Sequence, residues 1–98
     1  MAEIRIVIAD AHVAVREALA TFIDIQRDMT VVAQASTGRE AVEKTGETEP
    51  EVVIIDITMP GGSGIEAIEK IRSLYPKVRT LVLTMHEEHQ YVIRAIET

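Results

Sequence analysis

Ninety-eight residues, 47% hydrophobic and 27% charged, bound the chain to one small globular domain and exclude a disordered or fibrous protein. Sixteen acidic against ten basic residues leave a formal charge of -6, which disfavours adhesion to nucleic acid or anionic lipid and leaves no basic DNA-reading surface. Cysteine is absent, which excludes disulfides and thiolate metal sites, and Phe22, Tyr75 and Tyr91 alone give no stacking platform for single-stranded nucleic acid.

The N-terminal run MAEIRIVIAD is too short for a signal-peptide core or a membrane span, so a cytoplasmic protein is expected. Ile4 to Ala9 is rich in β-branched residues and reads as a first strand ending at Asp10. From Val13 to about Gln26, Val15, Ala18, Leu19, Phe22 and Ile23 recur at helical spacing and predict one buried stripe. Thr30 to Ala35 is a second strand. Gly38 to about Thr45 is a second helix, with Ala41 and Val42 inward and Gly46 and Pro50 closing it.

Val52 to Ile55 are four β-branched residues, suited to a strand buried on both faces. The strand ends in Asp56, and Pro60, Gly61, Gly62 and Gly64 punctuate the loop that follows. Ser63 with Glu66 forms a capping-box signature for a third helix, whose apolar set is Ile65, Ile68, Ile71, Leu74 and Tyr75 and which Pro76 stops. Val78 to Thr84 is a fourth strand. Glu87 to Glu97 reads as a fourth helix with Val92, Ile93 and Ile96 inward.

Strands alternating with helices at this spacing imply right-handed parallel βα units and a sheet covered on both faces, with functional groups at the carboxyl ends of the strands. Asp10, Asp56 and Thr84 each end a strand and so share one rim. A carboxylate at such a rim can attack phosphorus when a cation offsets the repulsion between anions. Magnesium takes oxygen ligands and keeps several waters, so Asp10, Asp56 and a backbone carbonyl would hold it, and the Thr84 hydroxyl could bond a phosphate oxygen. Taken one at a time, the two aspartates could be strand-end caps and Thr84 a β-former; their placement on one rim favours the chemistry.

These residues resemble the receiver domain of two-component response regulators: Asp10 after the first strand, Asp56 followed by Met59, Pro60 and Gly64, and Thr84 after the fourth. IVIADAH with Val15, Arg16 and Glu17, EVVIIDITMPGGSGIEAIEKIR and LVLTMH resemble the NarL/FixJ branch, over the whole of residues 1–98. The resemblance implies a flavodoxin-like (CheY-like) doubly wound parallel sheet in the order 2-1-3-4. It makes Asp56 the phosphoacceptor, Asp10 an acidic-pocket residue, the Thr58 backbone carbonyl a metal ligand and Thr84 the switch hydroxyl. It implies a sensor histidine kinase as phosphodonor and a role in transcription regulation through a DNA-binding output domain not present in this sequence. It implies a signal receiver and not an enzyme, beyond self-catalysed phosphoryl transfer onto Asp56.

Two departures from the family pattern stand out. Ala11 occupies the position of a second acidic residue that ligates the metal, so weak magnesium binding is expected. The family's fifth strand and helix, with their lysine and aromatic switch residue, have no counterpart before Thr98. The domain is therefore expected to be incomplete at its C-terminus, with Thr80 to Met85 an exposed apolar edge and self-association through that edge or the helix faces. A pseudo-receiver that docks or dimerises without phosphate is the alternative those departures allow.

Other motifs carry less. Gly61, Gly62 and Gly64 lack the lysine and spacing of a P-loop, and Thr58 stands where phosphatases with an aspartate nucleophile carry a second aspartate. His86 and His89 with Glu87 and Glu88 have a spacing that permits a metal cluster, but a solvated helix start is the better reading, and His12 is read in the same way as a solvated residue without a role.

Overall fold

The computed structural model describes residues 3–59, 63–85 and 91–96. Its elements in chain order are β1 (Ile4–Ala9), α1 (Val13–Asp24), β2 (Met29–Ala35), α2 (Gly38–Thr48), β3 (Val52–Asp56), α3 (Ser63–Leu74), β4 (Arg79–Met85) and β5 (Tyr91–Ile96). The sheet order is β2-β1-β3-β4-β5, and β1 to β4 run parallel as the βα alternation requires.

Alternate strand residues face opposite layers. Val7, Ala9, Val53, Ile55 and Val82 pack with Ala41 of α2 and with Ala67, Ile68 and Ile71 of α3. Ile6, Ile8, Ile54 and Leu83 pack with Ala20 and Ile23 of α1. Among the described residues two helices thus cover one face and one helix the other, and β1 and β3 run through the middle as nearly continuous apolar strands.

The expected fourth helix is a strand. Tyr91–Ile96 pairs antiparallel with β4, in a register that sets Thr80 against Ile96 and Met85 against Tyr91. YVIRAI is short, β-branched and aromatic, a run whose periodicity does not separate helix from strand. The deciding term is β4, whose outer row of backbone donors and acceptors is satisfied by a chain returning along it. The exposed β4 edge expected from the sequence is corrected by the same pairing, which makes β5 the outer strand of the sheet. Glu87 to Gln90, with His86 and His89, lie outside the described residues.

Two helix faces also differ from expectation. On α1 the buried positions are Ala20 and Ile23, while Phe22 is 64% exposed and Ala18 is exposed. On α3, Ala67, Ile68 and Ile71 are buried, while Ile65 and Leu74 are exposed. Each helix meets the sheet along a stripe narrower than its apolar set.

Gly46 does not close α2, which runs on to Thr48 and ends at Glu49 in the left-handed region with φ 48°. A Cβ at Gly46 would lie 2.5 Å from the Tyr75 hydroxyl, so this glycine admits the tyrosine from α3's end. Arg5 closes the helix instead, donating from its guanidinium to the carbonyls of Thr48 and Glu49 at the negative end of the helix dipole. No helix among the described residues is long and apolar enough to cross a membrane.

Candidate functional site

Two carboxylates meet where β1 and β3 end side by side. Ala9 pairs with Ile55, so Asp10 and Asp56 leave the sheet as neighbours. The Asp10 N–H donates to the Ala35 carbonyl at 3.0 Å and the Ile57 N–H to the Leu83 carbonyl at 3.1 Å, extending both ladders past the strand ends. Both aspartates are fully buried at the ends of these strands.

Each carboxylate has one satisfied oxygen and one orphan. Asp56 Oδ1 accepts from the Thr58 N–H at 2.8 Å and from the Thr58 hydroxyl. Asp10 Oδ1 accepts from the His12 N–H at 2.7 Å and lies 2.9 Å from His12 Nδ1. Asp10 Oδ2 and Asp56 Oδ2 are buried with no hydrogen-bond partner. Burial pushes the Asp10 carboxyl above the ordinary aspartate value; the hydrogen bonds from His12 pull the other way, and the Asp56 charge adds to the rise.

The sequence reading gave His12 no role, yet its ring stands over both acids, with Nδ1 3.7 Å from Asp56 Oδ2. Asp10, His12 and Asp56 each offer one ligand atom, all within 4.8 Å of one another. Arg16, noted above only as part of a motif, donates to the Asp10 carbonyl at 2.7 Å and to Gln34 Oε1 at 3.2 Å, tying α1 and β2 to the rim. Its signal in the sequence was one turn of helix beyond an acidic strand end.

The remaining predicted residues fall as follows. Ala11 is half-buried against the core shared by α2 and α3 and presents no donor atom to the site. Thr84 follows Leu83, the register partner of Asp56, so its backbone is on the same rim, while its side chain lies outside what the structure describes. Gly64 has a role the punctuation reading missed: a Cβ there would lie 2.5 Å from the Asp56 carbonyl oxygen and 2.7 Å from Ile57 Cα. The first turn of α3 can therefore sit on the backbone that carries Asp56.

The donor set suits a hard divalent cation. Two buried carboxylate oxygens without partners are anionic acceptors that a cation would satisfy, and a pair of buried acids is the arrangement that benefits most from one.

Comparison with known proteins agrees with this geometry. Residues 6–98 match the family described as the response regulator receiver domain. The chain is 41% identical over 93 residues to the oxygen regulatory protein NreC of Staphylococcus haemolyticus, covering 94% of this chain and 43% of that protein. It is also 41% identical over 93 residues to the uncharacterized transcriptional regulatory protein YhcZ of Bacillus subtilis, covering 95% of this chain and 44% of that one. The chain thus spans less than half the length of these curated relatives. Among solved structures, a LuxR-family two-component response regulator from Aurantimonas sp. aligns with TM-score 0.80 and 38% identity, covering 88% of this chain and 61% of that one. The response regulator domain of Thermotoga maritima CheB aligns with TM-score 0.80 and 37% identity, covering 89% and 66%. With the acidic rim, the 2-1-3-4 strand order and these matches together, the chain belongs to the receiver domain family of two-component response regulators, of the LuxR/NarL type.

Proposed function

We propose that the chain is a phosphoacceptor, with Asp56 taking a phosphoryl group from the phosphohistidine of a sensor kinase. The observation that carries this reading is the state of the Asp56 carboxylate. It is buried at a strand end, with Oδ1 held by both donors of Thr58 and Oδ2 without a partner. The Thr58 bonds fix the orientation of the group, and the carboxylate so held is the nucleophile. A carboxylate oxygen of Asp56 bonds to phosphorus as the P–N bond of the phosphohistidine breaks, and the electron pair leaves with the imidazole nitrogen, which takes up a proton.

When bound, magnesium supplies the positive charge that offsets repulsion between the two carboxylates and the incoming phosphoryl group. Asp10, Asp56 and the Thr58 backbone carbonyl would hold it, weakly, because Ala11 contributes no ligand. The position of Thr84 beside the register partner of Asp56 supports its assignment as the hydroxyl that bonds a phosphoryl oxygen. Phosphorylation then shifts an existing equilibrium of the segment after β4. DNA contact belongs to an output domain outside this chain, in keeping with the greater length of its relatives and the transcriptional role in the name of one of them. The setting is cytoplasmic.

The test is incubation with a small phosphodonor and magnesium, read by intact mass. A single phosphoryl adduct that is lost in Asp56→Asn and retained in His86→Ala is expected. No adduct on the wild-type protein, or one that survives Asp56→Asn, overturns the reading.

A further inference from the structure

We propose that His12 is a nitrogen ligand in the cation pocket, and that the site therefore accepts a first-row transition ion through His12 Nδ1 in addition to Asp10 and Asp56. The inference rests on reading the pocket as the cation site of a phosphoacceptor, and it concerns which ion the site prefers and through which atom. Ala11 offers the rim no ligand atom. The ring next to it in sequence is aimed at the same place: His12 Nδ1 lies 2.9 Å from Asp10 Oδ1 and 3.7 Å from Asp56 Oδ2. Ligands about 2.1 Å from one ion sit roughly 3.0 Å apart at the corners of an octahedron and roughly 3.4 Å apart in a tetrahedron, and these two spacings bracket that range.

A second observation, the state of the carboxylate oxygens, also points to a ligand. Asp10 Oδ2 and Asp56 Oδ2 are unpartnered on side chains that are 0% exposed, and both belong to the three-residue group. The His12 side chain is 46% exposed, so an ion held there keeps an open, solvated side for a phosphoryl oxygen. Nδ1 offers a lone pair when the ring proton is on Nε2. Two carboxylates and one imidazole form a mixed set that favours ions of the cobalt to zinc series, whereas magnesium prefers oxygen alone and gains little from the ring.

The experiment is titration of the chain, with no phosphodonor present, with cobalt(II) and with magnesium, read by calorimetry and by the visible d–d bands of cobalt. Nitrogen shifts of the histidine rings are followed on adding zinc. The expected result is one cobalt site whose affinity falls tenfold or more in His12→Ala, while magnesium affinity changes less than about twofold. In the wild-type protein, zinc should move the His12 Nδ1 resonance into the range of a coordinated nitrogen. Cobalt affinity and d–d bands unchanged in His12→Ala overturn the proposal, and so does a His12 Nδ1 resonance that zinc leaves in place. The wild-type measurement decides even if the variant fails to fold. Failure of Asp56 to accept phosphate in the mass experiment, with His12-dependent cobalt binding intact, would sink the function above and leave this assignment standing.

Discussion

The two sides of the sheet's carboxyl rim are built differently. On the β1–β3 side, Asp10, Asp56 and the loops after them are tied by backbone ladders, by the Thr58 and His12 donors and by Arg16, over strands buried on both faces. On the β4–β5 side, the rim ends in a strand held to the sheet by antiparallel pairing at its outer edge. The first arrangement fixes a reactive group. The second places Thr84 beside a segment whose apolar run suits either of two secondary structures, which is where the proposed response to phosphorylation would cost least.

The largest effect should come from filling the space that Gly64 leaves over the Asp56 backbone. Both close neighbours of the added Cβ are main-chain atoms that cannot swing aside, so Gly64→Ala is expected to cost about 2–3 kcal/mol in urea unfolding. It should also slow labelling of Asp56; unchanged stability would show that the rigid side has more give than its contacts allow.

The β4–β5 side is sharpened by a pair of prolines. In an edge strand, successive N–H groups point alternately toward and away from the partner, so Val92→Pro and Ile93→Pro should differ in cost by roughly 1 kcal/mol. Amide exchange of β4 should be accelerated in only one of them. Equal, large losses in both are the signature of a helix and would overturn the strand.

A smaller effect is expected at Asp10, and its sign is unusual for an aspartate. Burial raises the folded-state pKa above the unfolded value, so the folded protein holds that proton more tightly. The charged carboxyl therefore costs stability at neutral pH, and the cost is relieved as pH falls through the raised folded value toward the ordinary one. In chelator-treated buffer, Asp10→Asn should raise the urea midpoint at pH 7 and flatten its dependence on pH across that window, while still accepting from the His12 N–H. A lowered midpoint would mean that the charge is already compensated.

The smallest effect is at the start of α2, just past the end of β2. Glu40 Oε1 accepts from the Ser36 hydroxyl at 2.6 Å and from its N–H at 3.1 Å, while Thr37 Oγ1 caps the Glu40 N–H. The Ser36 hydroxyl is the main reason that the Glu40 carboxyl lies below its ordinary value. Its contribution is present above that ordinary value and lost as pH falls through the depressed one. Ser36→Ala should move the Glu40 midpoint upward in a carbon-detected titration, with little change in melting temperature because the hydrogen bonds involved are exposed to solvent.

Much of the β1–β3 side was legible in the sequence because its signals are local: a run of β-branched residues, then an acid, then a turn. Asp10 and Asp56 could be placed on one rim from strand order alone. His12 and Arg16 were not assigned roles, since a histidine two residues past a strand and an arginine one turn into a helix acquire meaning only when loop and sheet come together. Phe22 and Leu74 fit the apolar period of their helices yet remain exposed, because periodicity reports which face is apolar and not how wide a surface the sheet offers it. Tyr91–Ile96 was misread because its neighbour across the sheet, more than its own propensity, decides its state. Gly46 and Gly64 were read as punctuation, whereas each is defined by an atom distant in sequence or on the preceding strand.

The contact at Gly64 also bears on how a change at the rim could travel. A joint with clearance absorbs small displacements, whereas here the α3 backbone rests on the Asp56 carbonyl with no room for even one methyl group. The Asp56 peptide and the first turn of α3 are in direct contact, and Ile68 and Ile71 anchor the rest of the helix in the core beneath the sheet's strands. A residue with no side chain thereby sets how closely a whole helix approaches the strand that carries the carboxylate.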